Sequence, residues 1–453
     1  MAKKVRFGYV PFLDNPDNSP VRNIYYYDLP GVEQGVVRVS GSKTYINKSF
    51  TGSWGSNLQA WSVDQKLPLA MAAGLVPYLH TGNTVDGYFL YNGTSFSKNT
   101  DSFTPSPSVL ATWGSRIFAS DYARILLYES YIDFDHDSPT NSPFSYDNNS
   151  ADPSQGGSTS VDAGNNGPIQ EFGVVQNALN IYKQFGIYRW DGSNMIPLNF
   201  HNYVFATSVC HSDMFKIDYF LSYNMIYSND GQTVQPISFG INTIIEDTMR
   251  LQGITNPIGY CFDHYAFFYI GNIQVGTDVI ANGMFVYDER YQEWQIWSLG
   301  HQLTAFGQYV DSQGVRHLLS GDVNGNTYIW SESFASDAGV SIAYRLRTKY
   351  FDNNSPVTNK VPVPQTNVSA DPAEEAQISM AKNFSNEYKE IGSASGILSS
   401  FNSENGAYPV YKTLSVEIAG TTTTNRPEFY GVAIRLDEES DRPDKSPNTI
   451  SKQ

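Results

Sequence analysis

Charge is scarce in this chain and lopsided. Only 16% of the 453 residues are charged, and 29 Lys and Arg face 45 Asp and Glu, for a formal charge of −16. Phosphate backbones are held by Lys and Arg that release counterions. With no basic run in the sequence, the balance argues against a protein that grips nucleic acid, and it keeps the chain dispersed in solution. Cysteine is nearly missing: Cys210 and Cys261 are the two present, and nothing in their positions forces a bridge, so buried free thiols are expected ahead of a structural disulfide. No apolar run reaches the length of a transmembrane helix. The basic start Met1-Ala2-Lys3-Lys4-Val5-Arg6 is not followed by the apolar core of a signal peptide, so the expectation is synthesis and folding in a reducing cytoplasm without membrane insertion. His80, His136, His201, His211, His264, His301 and His317 show no paired metal-ligand spacing, and no Walker or dinucleotide glycine loop occurs. Neither a metal nor a cofactor is expected.

What the chain has is aromatics, 14% of residues, and a phrase that it repeats: a short β-rich run ending in an aromatic, then a turn. Copies are Tyr88-Phe89-Leu90-Tyr91-Asn92-Gly93, Gly186-Ile187-Tyr188-Arg189-Trp190-Asp191-Gly192, Met225-Ile226-Tyr227-Ser228-Asn229-Asp230-Gly231, Met284-Phe285-Val286-Tyr287-Asp288 and Gly325-Asn326-Thr327-Tyr328-Ile329-Trp330. Weaker copies are Thr44-Tyr45-Ile46 and Leu126-Leu127-Tyr128. Alternating apolar residues closed by Asn-Gly or Asp-Gly are a strong hairpin signal, because both turn residues tolerate positive φ. The anchors Tyr45, Tyr91, Tyr128, Tyr188, Tyr227, Tyr287 and Tyr328 lie 46, 37, 60, 39, 60 and 41 residues apart. One four-stranded propeller blade needs roughly 40 to 50. The fold expected is therefore all-β, a β-propeller of six or seven blades, with the two intervals of 60 marking blades that carry insertions.

The layout follows from composition. Residues 1–35 read as an N-terminal arm that docks through Tyr25, Tyr26 and Tyr27, the suspected interface. Residues 36–345 read as the propeller, with a surface insertion at about 135–167 that is dominated by Asp, Ser, Asn, Pro and Gly and has little to bury. Ile258-Gly259-Tyr260-Cys261-Phe262 and Tyr265-Ala266-Phe267-Phe268-Tyr269-Ile270 read as a central strand pair around an Asp263-His264 turn. Residues 346–436 read as a linker (353–372), a short helix over Ala373–Glu390 with acids at its start and Lys389 near its end, and two strands, Tyr411–Ala419 and Glu428–Leu436. Residues 437–453 read as a flexible acidic tail.

Candidate chemistry is thin. Hydrolysis needs paired carboxylates or an activated nucleophile, whereas Asp191, Asp230, Asp288 and Asp322 sit where turns are expected. Asp322-Val323-Asn324-Gly325-Asn326 partly matches a calcium loop but lacks the distal Glu; Asp133-Phe134-Asp135-His136-Asp137 is an acidic loop segment. Trp294 and Trp297, three apart on a strand, place one ring on each face, and an exposed one would suit sugar stacking. Trp190, Trp297 and Trp330 lie in the repeat, where packing between blades is the plainer reading. No catalytic residue is assigned.

One resemblance runs through these phrases in order. Trp113-Gly114-Ser115-Arg116-Ile117-Phe118-Ala119 with Arg124-Ile125-Leu126-Leu127-Tyr128-Glu129-Ser130 and Asp133-Phe134 comes first. Gln176 to Tyr182 with Gly186-Ile187-Tyr188-Arg189-Trp190-Asp191-Gly192 follows, then Phe220-Leu221-Ser222-Tyr223 with Asp230-Gly231 and Pro236-Ile237-Ser238. Val286-Tyr287-Asp288 with Trp294-Gln295-Ile296-Trp297, and Ser320-Gly321-Asp322 with Gly325-Asn326-Thr327-Tyr328, complete it. The series resembles the propeller-type tail hub, nozzle and packaged-DNA stabilisation proteins of short-tailed bacteriophages. The resemblance implies a non-enzymatic virion tail protein in a homo-oligomeric ring, a hexamer by analogy. The ring would lie below the portal-adaptor protein and above a tail fibre, spike or needle protein, with double-stranded DNA passing through unread. The alternative is a carbohydrate-binding or carbohydrate-cleaving propeller acting in host recognition.

Overall fold

In the computed structural model of the chain, the described residues are 3–4, 6–72, 78–100, 104–121, 126–130, 157–162, 165–347, 360–370, 376–382, 384–385, 387–394, 399–401, 413–422 and 428–438. They form two compact units, Pro11–Trp330 and Met1–Val10 with Ser331–Gln453.

The first unit is a β-propeller. Blade 1 is Val21–Leu29, Glu33–Ser40, Lys43–Asn47 and Gln59–Ala60. Blade 2 is Leu69–Ala72, Tyr78–Asn83, Gly87–Tyr91 and Phe96–Lys98. Blade 3 is Val109–Trp113, Arg116–Ser120, Leu126–Glu129 and Gly157–Ser160. Blade 4 is Ile169–Val175, Ala178–Lys183, Gly186–Trp190 and Met195–Pro197. Blade 5 is Cys210–Ser212, Ile217–Leu221, Ile226–Asn229 and Val234–Pro236. Blade 6 is Ile258–Phe262, Tyr265–Val275, Asp278–Asp288 and Glu293–Ser298. These six are four-stranded antiparallel sheets in chain order. A seventh sheet pairs Leu303–Val310, Arg316–Asp322 and Thr327–Ser331. The first strands of successive blades are neighbours, and Leu303–Val310 returns to Val21–Leu29, closing the circle.

All seven tyrosine anchors fall on the third strand of their blades. The second and third strands are packed on both faces, as Ala178–Lys183 with every residue buried illustrates, so they read as continuous apolar runs rather than as alternation. The fourth strands lie outside and are mostly exposed, as in Met195–Pro197. Between blades 5 and 6, Phe268, Phe285, Leu221 and Ile226 are fully buried, each side chain contributing about 1.5–3 kcal/mol.

The Asx-Gly turns join the third strand to the fourth, and their geometry differs from a two-residue hairpin. Asn92, Asp191 and Asp230 keep negative φ; their side-chain oxygens accept N–H bonds from the residues two and three further on, at 2.7–3.0 Å. Only the following glycine is left-handed, with φ of 93° at Gly93, 95° at Gly192 and 86° at Gly231, where a side chain would be strained.

Several expectations are corrected. Residues 21–35 are not an arm, because Val21–Leu29 is the first strand of blade 1, bulged between Val21 and Asn23. Residues 11–20 also belong to the propeller, Phe12 N–H donating to the Thr327 carbonyl at 2.8 Å. The propeller unit ends at Trp330 rather than 345. The second interval of 60 is a helix, α1 (Asn242–Leu251), followed by unusually long strands in blade 6. Ile258–Phe262 and Tyr265–Val275 pair as expected, with Asp263 at φ 53° in their turn. The insertion at 135–167 falls mostly outside the described residues, as does Asp133 to Asp137; its end, Gly157–Ser160, is the fourth strand of blade 3.

In the second unit the helix expected over 373–390 is replaced by strands. Ala376–Lys382 pairs with Lys389–Ala394 and with Leu414–Thr422, which also pairs with Val340–Arg347. Ala376, Ile378 and Met380 are buried while Gln377 is exposed, so sheet neighbours override the helix propensity of Ala, Glu and Lys. Lys360–Ala370, expected as linker, pairs with Glu428–Glu438. Tyr9 lies opposite Asp337 in a parallel bridge, and the Arg6 guanidinium forms a buried ion pair with Asp337. Residues 439–453 of the tail lie outside the described ones.

Candidate functional site

The first strands of the blades surround a cavity of about 1040 Å³ on the propeller axis. Inner strands place one residue in two toward a neighbouring blade, so the wall mixes backbone and alternate side chains. It is rich in amides and hydroxyls: Asn23, Gln65, Gln170, Gln302, Thr304 and Gln308 all line it, with Tyr25, Tyr260 and Phe306 as aromatic wall. The Tyr260 ring stacks on Phe306 at 5.8 Å.

Three carboxylates line the cavity, and each has a partner. Glu171 of blade 4 lies 3.9 Å from the Lys66 ammonium. Asp213 accepts from Arg316 at 2.7 Å. Asp218 is completely buried; it accepts from Tyr182 Oη at 2.6 Å and Asn180 Nδ2 at 3.1 Å, and lies 2.9 Å from His211 Nδ1. Burial and this carboxylate push the Tyr182 hydroxyl well above its ordinary pKa. Gly173 of blade 4 faces the same carboxylate, and a Cβ there would overlap it. Arg22, also at the cavity, pairs with Asp64 at 2.6 and 2.8 Å. The wall therefore presents neutral hydrogen-bonding groups and neutralised pairs.

Tyr25, Tyr26 and Tyr27 lie in the first strand of blade 1 and do not act as one surface. Tyr27 is fully buried and donates to Glu33 Oε1 at 2.6 Å. Tyr26 is half-buried and donates to Gln34. Tyr25 lines the cavity, where burial pushes its hydroxyl up to about 12. The run of three tyrosines reads as a sticky arm, but alternation sends Tyr26 to one face of the strand and Tyr25 and Tyr27 to the other, both faces being packed in the core. The seven tryptophans are all buried or half-buried. Trp190, Trp297 and Trp330 are buried between strands, as the packing reading expects, and Trp294 donates to the Ile237 carbonyl at 3.0 Å rather than standing free for a sugar. Both oxygens of Asp322 are engaged by Asn324 N, Asn326 N, Asn326 Nδ2 and Tyr328 Oη at 2.7–3.1 Å, so the partial calcium loop works as a self-capped turn. Among the described residues no group of three metal-ligating side chains occurs, and no helix is long and apolar enough to cross a membrane.

Two features escaped sequence reasoning. His211 and Asp218 meet because they are cross-strand partners in blade 5, a register legible only once the hairpin over 213–216 is recognised. Cys210 and Cys261, 51 positions apart, are free thiols with Sγ atoms 3.2 Å from each other across blades 5 and 6.

No family model matches the chain, and no curated protein matches it. Solved structures do. The complex of BBS1N with ARL6DN, soaked with mercury, matches with a TM-score of 0.47 at 9% identity over 74% of this chain and 100% of that one. The computationally designed Ika8 protein matches at 0.44 and 10% over 72% and 99%. The extracellular domain of the putative hybrid two component system BT4673 from B. thetaiotaomicron matches at 0.44 and 13%, over 73% of this chain and 40% of that one.

Proposed function

We propose that the protein is a structural, non-enzymatic component of a phage tail: a ring-forming hub or nozzle that extends the DNA channel below the portal-adaptor complex and helps to retain packaged DNA. The observation that carries this reading is the placement of its recurrent wording. The described phrases that resemble short-tailed phage propeller proteins fall on blades 3 to 6 and on the strands over 303–331, with each tyrosine anchor on a third strand. Charge supports it as well. The chain carries −16, and residues 131–156 contain five Asp and no Lys or Arg. Carboxylates on a channel wall repel phosphates within about one Debye length, roughly 8 Å at physiological salt, and so let duplex slide. The three carboxylates at the axial cavity are each taken up by partners of their own, Glu171 by Lys66, Asp213 by Arg316 and Asp218 by Tyr182, Asn180 and His211, whereas glycoside hydrolysis uses two that face each other across the scissile bond.

Mass photometry of the full chain, alone and mixed with portal-adaptor assemblies, tests the proposal. A closed ring, six copies by analogy, or incorporation into the assembly is expected, since heterologous contacts that close make rings. A monomer under both conditions overturns it. One observation favours the carbohydrate reading instead: an amide-lined axial cavity walled by Tyr25, Tyr260 and Phe306 has the chemistry of a neutral polyhydroxylated ligand. A glycan-dependent thermal shift in a persistent monomer would establish that reading.

A further inference from the structure

The geometry points to Cys210 and Cys261 as a dithiol site that a small disulfide oxidant converts into a covalent staple between blades 5 and 6. Cys210 opens the first strand of blade 5, and Cys261 lies in the first strand of blade 6. Their Sγ atoms are 3.2 Å apart, and a disulfide needs about 2.05 Å, so little backbone movement closes the gap. Both residues line the axial cavity, which supplies a route for the reagent. Cys210 is buried and Cys261 half-buried, so Cys261 is the more accessible residue of the pair and the one assigned the first step.

The chemistry balances with an oxidant such as glutathione disulfide. The Cys261 thiol loses its proton and attacks one glutathione sulfur, breaking the glutathione S–S bond and releasing one glutathione thiolate, which takes up a proton. The Cys210 thiol then loses its proton and attacks Cys261 Sγ, expelling the second glutathione. Two electrons pass from the two cysteines to the oxidant. Burial, then the adjacent Cys210 thiol, push the Cys261 thiol well above its ordinary pKa. A weakly acidic thiol gives little thiolate and is a poor leaving group, so the bond forms slowly and resists reduction once made. Such a site is a lock rather than a turnover redox centre, and it does not depend on the tail reading.

The test is incubation of the folded, full chain with excess glutathione disulfide, read by intact mass, peptide mapping and thermal unfolding. A loss of two hydrogens, a Cys210–Cys261 cross-linked peptide, and a thermal midpoint raised by about 5 °C are expected. Under the same treatment Cys210→Ser should stop at a single glutathione adduct on Cys261, with no rise in midpoint. Wild-type protein that keeps both thiols, or that ends as a stable glutathione adduct, overturns the proposal. Protein unfolded in denaturant serves as the control that the reagent is active.

Discussion

Arg38 ties the second strand of blade 1 to Thr327 of the last strands before the ring closes. It is fully buried, with a guanidinium nitrogen 3.7 Å from Asp17 Oδ1, hydrogen bonds to Ser40 and Thr327, and the Trp54 ring 5.6 Å away. Burial pulls it down to about 10, against the pull of Asp17, Tyr45 and Asp322 in the other direction. Asp17 in turn accepts from Ser40 and Tyr45. Arg38→Ala leaves that carboxylate buried without its cation, and a loss of about 3–5 kcal/mol in urea unfolding is expected. Glu289 shows the opposite balance. It is buried, and Oε2 accepts from Ser212 at 3.0 Å; burial raises its pKa above the ordinary value, against the hydrogen bonds from Ser212 and Tyr219. A carboxyl with a raised folded pKa holds its proton more tightly when folded. Its stabilisation is therefore greatest below the unfolded value, and it is lost as pH rises through the folded one. Glu289→Gln should flatten the thermal midpoint between pH 4 and pH 8 and exceed wild type at the upper end. A steeper profile than wild type would contradict this.

At the scale of elements, the turns and α1 make separable predictions. Asp230 accepts from Gln232 N and Thr233 N, as Asn92 does from Thr94 N and Ser95 N. Asp230→Asn should be close to neutral, whereas Asp230→Ala leaves two N–H groups without their acceptor and should cost about 1 kcal/mol by denaturant unfolding. The helix α1 packs on the extended second strand of blade 6, where Thr248 Oγ1 accepts from Gln274 N at 2.9 Å and Ile245 is fully buried. Ile245→Ala should cost about 2–4 kcal/mol, with faster amide exchange over 242–251 and 265–275 first. Ile241, Ile244, Ile245, Thr248 and Met249 recur at helical spacing, so α1 was legible. The aromatic runs that follow drew the reading to strands instead. The segment 376–382 shows the reverse error, since its helix-favouring composition yields to the strands beside it.

For the whole molecule the decisive quantity is charge against DNA. Duplex titrated into the protein at about 0.15 M salt should show no binding, because a chain of formal charge −16 repels phosphates more than its Lys and Arg can offset by counterion release. Salt-dependent binding with a slope of several phosphates would contradict the conduit reading, whether or not a ring forms.

The propeller fold and the spacing of third strands were readable in the sequence alone, because a buried aromatic recurs on the third strand of each blade and an Asx-Gly turn follows it in three of them. Tyr45, Tyr91, Tyr128, Tyr188, Tyr227, Tyr287 and Tyr328 left the count at six or seven; the structure has six four-stranded blades and three further strands over 303–331. Local patterning could not reveal what meets across blades. The Arg38 cluster, the bonds from Tyr182 and Asn180 to Asp218 and the approach of Cys210 to Cys261 all depend on how neighbouring sheets are rotated about the axis. Side chains 36 or 51 positions apart meet only when neighbouring blades pack face to face, so these contacts belong to the tertiary structure.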